Sequence, residues 1–110
     1  MAKRRINPLC YFYKMLQLST IKQVLQQLKP ELAEKYNVSS IGLFGSIVRN
    51  DFSPSSDIDI IVDFSKPIGI EFIDLADLIE AKLKIQVDLV SRKGIKKKYF
   101  SAIESEIIYV

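Results

Sequence analysis

The eight residues DIDIIVDF (57–64) constrain the fold more than any other part of this chain. They are β-branched and apolar, and they read as its strongest strand. Residues two apart on a strand share a face, with Cα atoms roughly 6.5–7 Å apart. Asp57 and Asp59 therefore stand side by side, while Ile58, Ile60 and Val62 point the other way into a core. Two ionised carboxylates at that spacing repel, and burial raises the pKa of at least one. A divalent cation resolves the conflict, and hard oxygen ligands of this kind suit Mg²⁺. Asp63 shares the parity but lies at the far end of the strand, where solvation is the simpler reading.

The other elements are expected around that strand. Ser19 is placed to cap a helix in TIKQVLQQLKP, which Pro30 ends, and ELAEKYN adds a short helical segment closed by Asn37. VSSIGLF (38–44) and IQVDLVS (85–91) are two further strands. Between the second and third strands, IEFIDLADLIEAKL has Ile70, Ile73, Leu75, Ala76, Leu78, Ile79 and Leu83 on one broad apolar helical face. The C-terminal segment starts as a helix and ends in an apolar, extendable tail. The fold class is α/β (α+β), a small mixed sheet of about three strands covered by helices. Residues 1–18 form a basic, flexible extension and residues 19–110 the domain; Met15 opens directly onto the first well-patterned helix and is a second place for the chain to start.

Asp88 repeats the parity argument. In IQVDLV, Ile85, Val87 and Leu89 form one face and Asp88 lies on the other, a costly place for an acid without compensation. If the two strands are neighbours, Asp88 reaches the site of Asp57 and Asp59, and three carboxylates suffice for two metal ions about 4 Å apart. Gly45-Ser46 supplies the complementary half: a backbone that a ligand can approach closely, a hydroxyl, and free N–H groups if a short helix begins at Ser46. Arg49, one turn on, is placed to contact a phosphate or to hold the loop against an acid. Taken singly, SSDID suits a polar loop entering a strand and Asp88 a satisfied strand-end acid; the functional reading rests on their combination.

Composition removes the competitors. The chain has no histidine, so histidine bases, histidine metal sites and Ser-His-Asp chemistry are excluded. Cys10 is the single cysteine, which excludes an internal disulfide and, with no export signal, implies the cytoplasm. The net charge of +3 misleads: Lys3, Arg4, Arg5 and Lys14 precede residue 20 without one acid, leaving twelve basic against thirteen acidic residues. No direct contact with nucleic acid is expected from such a body. The run Lys96-Lys97-Lys98 is read as a solvated helix face. No apolar run is long enough to span a bilayer.

Gly45-Ser46, ten residues, then Asp57-x-Asp59, with Asp88 on a later strand, resembles the signature of the DNA polymerase β-type nucleotidyltransferases. The short chain is most similar to the minimal nucleotidyltransferases, antitoxins paired with HEPN-domain ribonuclease toxins. The resemblance implies the nucleotidyltransferase fold, two Mg²⁺ ions, ATP as substrate, and transfer of AMP to a tyrosine of a HEPN toxin within a hetero-oligomer. It implies metal ligation and catalysis by Asp57, Asp59 and Asp88, and triphosphate binding by Gly45 and Ser46. Many relatives read G-S-x-A-R-G where this chain has GSIVRN, so Asn50 is expected to serve the turn that glycine serves there. Two alternatives belong to other classes: a non-catalytic antitoxin acting by contact alone, and a nucleotidyltransferase for a small molecule or an RNA end.

Overall fold

The strand expected at 57–64 forms as Ile58–Phe64, the second in chain order of four strands in one mixed sheet. The computed structural model describes residues 8–49 and 57–110, with side chains from Leu18 onward. In chain order the elements are α1 (Pro8–Tyr36), β1 (Val38–Phe44), α2 (Ser46–Arg49), β2 (Ile58–Phe64), α3 (Glu71–Leu83), β3 (Val87–Ser91) and α4 (Lys97–Ile103). A 3-10 turn at Glu104–Glu106 then leads into β4 (Ile108–Tyr109). The strand order is β3-β2-β1-β4. β1 runs antiparallel to both β2 and β4, and β2 runs parallel to β3. The fourth strand is the apolar tail, laid along the free edge of β1.

Parity on β2 follows the sequence. Ile58, Ile60 and Val62 are fully buried and meet Ile41 and Leu43 of β1, Leu25 and Leu32 of α1, and Leu75 and Ile79 of α3. One face of the sheet is therefore covered by α1 and α3. Ile61, on the face of Asp59, is also buried. Opposite it, Gly42 makes room for the tail: an added Cβ would lie 2.5 Å from Ile107 Cγ2.

Two expected helix boundaries move. Ser19 is not a cap but an interior residue of α1, which begins at Pro8, so the junction expected at residue 19 falls within this helix. Pro30 does not end the helix either. Proline lacks an N–H and costs about 3 kcal/mol in a helix interior. Here it is exposed, while Leu25, Leu28 and Leu32 line the buried side on either side of it. Each such burial is worth roughly 1.5–3 kcal/mol, enough together to carry the helix through. It closes at Asn37, as expected, in the left-handed region with φ 59°.

In α3, Leu75 and Ile79 are buried and Phe72, Leu78 and Leu83 pack around them. Ile70 and Ile73, expected on the same face, are exposed at 81% and 63%. Ile70 precedes the helix, and Ile73 stands roughly 200° around the axis from Leu75. No helix among the described residues is long and apolar enough to cross a membrane.

Leu75 joins α3 to the sheet with no exposed surface. Leu75→Ala is expected to lower unfolding stability by about 2–5 kcal/mol in urea denaturation.

Candidate active site

Parallel pairing of β2 with β3 sets Asp59 directly beside Asp88. Neighbouring strands lie about 4.8 Å apart, and paired residues project to the same face, so the two carboxylates share one side of the sheet. Asp57 is exposed immediately before β2, and the Ile58 N–H donates to Gln86 O at 3.0 Å, continuing the pairing to that end. The expected start of the third strand shifts: β3 begins at Val87, whose N–H donates to Glu80 Oε2 at 2.9 Å. Asp63 lies at the other end of β2, where its Oδ1 accepts the Phe64 N–H, as suits a local role.

On the other side of β2, Asp59 pairs with Phe44, which brings Gly45 against the Asp59 carboxylate. Gly45 has φ +80°, and a Cβ built there would overlap Asp59 Oδ2. Glycine is thus required twice, by backbone conformation and by the acid beside it. Its carbonyl accepts the N–H groups of Val48 at 3.0 Å and Arg49 at 3.1 Å, winding α2 from Ser46 as the sequence reading anticipates. Asn50 lies outside the described residues.

Sequence reasoning missed Glu106. Its Oε2 accepts the Gly45 N–H at 2.8 Å, and Arg49 Nη1 donates to its carboxylate at 3.2 and 3.4 Å. Nothing local marks this acid; only pairing of the tail along β1 carries it 61 residues back to the turn.

The Asp59 pKa rises from its ordinary 3.8 to about 6. Burial is the main cause, followed by the negative charges of Asp88 and Asp57; Arg49 works against the rise and Glu106 adds to it. Among the described residues, no three acids close into a ready-made metal cage. The donor set nevertheless fits a hard divalent cation, which would remove the like-charge cost at Asp59.

The chain matches the model of the nucleotidyltransferase domain over residues 25–110. It is 40% identical over 97 residues to the protein adenylyltransferase MntA of Thermococcus cleftensis, covering 87% of this chain and 98% of that one. A Methanocaldococcus jannaschii protein provisionally named for the same activity is 42% identical over 98 residues, covering 87% and 100%. The fold is shared with the tri-AMPylated Shewanella oneidensis HEPN toxin complex with MNT antitoxin, at TM-score 0.55 and 22% identity, over 87% of this chain and 70% of that one.

Gly45→Ala should destabilise the protein by more than about 1 kcal/mol in chemical denaturation, since alanine would bear both the positive φ and the overlap. The raised Asp59 pKa sets a pH dependence of opposite sign to the usual carboxylate. Its stabilising contribution is complete below 3.8 and is lost as pH rises through about 6. In metal-free protein, the thermal midpoint of Asp59→Asn should therefore gain on that of wild type across this window.

Proposed function

This chain belongs to the nucleotidyltransferase domain family, and from that membership we propose that it is a protein adenylyltransferase antitoxin, moving AMP from ATP to a tyrosine hydroxyl of a HEPN ribonuclease toxin. The observation that supports this reading is a match over 87% of this chain and 98% of a named adenylyltransferase, in a chain that sets Asp59 between Asp88 and the Gly45 turn. In this reading the toxin itself brings the hydroxyl to the site, in a hetero-oligomer like the HEPN toxin complex with MNT antitoxin whose fold this chain shares. A lone cysteine suits work in the cytoplasm.

In the proposed reaction the tyrosine oxygen attacks the α-phosphorus of ATP. A new P–O bond forms, the bond to the bridging oxygen breaks, and pyrophosphate leaves with that electron pair. Asp88 lies beside Asp59 and accepts the phenolic proton or holds the hydroxyl for attack. Gly45, Ser46 and Arg49 seat the triphosphate, with the Ser46 hydroxyl and N–H as donors and Arg49 as counter-charge. Asp57, Asp59 and Asp88 are the residues that would hold Mg²⁺, as two ions. When bound, the metal would neutralise the triphosphate and lower the pKa of the attacking hydroxyl. Catalysis of this kind depends on positioning and charge rather than on a covalent intermediate.

Co-expression with a HEPN toxin provides the test, read by the intact mass of that toxin. Wild type is expected to add one or more AMP units, and Asp57→Ala/Asp59→Ala none while remaining folded. A complex of equal stability without any mass gain would reject catalysis in favour of neutralisation by contact. Full transfer by the double variant would reject the carboxylate assignment.

A further inference from the structure

Among the described residues, Glu106 is the one acid at this site for which the proposed reaction has no use. Its placement is electrostatically unfavourable, since the Gly45 turn whose N–H it accepts lies against the Asp59 carboxylate. A partly exposed ion pair such as Arg49–Glu106, with 52% and 21% of the two side chains exposed, contributes little stability to offset this. What Glu106 provides is therefore geometric.

The strand register explains how. Leu43 pairs with Ile108 and Gly42 with Tyr109, so the same antiparallel register carried onward sets Gly45 opposite Glu106. There the backbone has left the sheet for the 3-10 turn, and the Glu106 carboxylate takes the Gly45 N–H in place of a backbone carbonyl. The same carboxylate takes Arg49, which follows the turn. Its base is fixed in turn: Val110 N–H donates to Ile41 O at 3.0 Å, and Lys29 Nζ of α1 donates to Val110 O at 2.7 Å.

We infer that Glu106 is a positioning residue for nucleotide binding, its carboxylate tying the Gly45 turn and the Arg49 guanidinium to the C-terminal strand in one arrangement before the triphosphate arrives. The inference rests on the adenylyltransferase reading given above. Glu106 does not touch the substrate; it acts through Gly45 and Arg49.

The test measures affinity for α,β-methylene ATP with Mg²⁺ by calorimetry on the full chain, with thermal midpoints recorded beside it. Glu106→Ala should weaken binding about tenfold, the scale of a lost charge-assisted contact. Glu106→Gln keeps an acceptor for the Gly45 N–H and should recover part of that loss, which also covers the case in which the alanine variant folds poorly. Adding Arg49→Ala to Glu106→Gln should cost less than the product of the two single effects, because both changes disable the same guanidinium. Lowered midpoints with unchanged affinity would overturn the inference and leave Glu106 a structural tie. Tighter binding would overturn it by making Glu106 a competitor of the phosphates. Absence of binding by wild type would overturn the adenylyltransferase reading as well, whereas normal wild-type binding with unaffected variants overturns this inference alone.

Discussion

Repulsion between carboxylates held on adjacent strands is the cost around which this molecule is arranged. Asp59 and Asp88 are forced together by the parallel register of β2 and β3, and that register is itself forced by the burial of Ile58, Ile60 and Val62 on the opposite face. A slip of one residue would turn those three side chains out of the core. The hydrophobic effect on one side of the sheet thus maintains an electrostatic conflict on the other. Burial of Asp59 sharpens the conflict, and a cationic ligand relieves it. In the proposed function, that relief comes from a substrate that arrives with metal.

Glycine at position 45 belongs to the same arrangement. β1 delivers the chain to the edge of β2 where Asp59 stands, and any side chain there would collide with the acid. The positive φ at Gly45 then turns the backbone into α2, so the close approach and the change of direction come from a single residue. The acidic edge and the Gly45 turn are therefore coupled through the β1–β2 pairing.

Much of this was legible because it depends on short periods. Parity along residues 57–64 and 85–91 placed Asp59 and Asp88 on one face, and the glycine at 45 marked the turn. What escaped depends on competition between distant terms. Pro30 carries a local breaking signal, yet the leucines flanking it are buried by a sheet whose position no helix-level pattern reveals. Ile73 looked like part of an apolar stripe because the stripe was drawn too wide; only the seating of Leu75 and Ile79 defines the face that meets the core. Glu106 has no local mark at all, since its role follows from a two-residue strand and a continued register.

That two-residue strand has a consequence of its own. A short edge element is the part of a sheet that opens first, long before global unfolding. Gly45 lies in the middle of the chain, yet its amide proton is shielded by a side chain that belongs to the C-terminal segment. Its exchange with solvent deuterium is therefore a clock for fraying of the chain end rather than for motion of the turn itself.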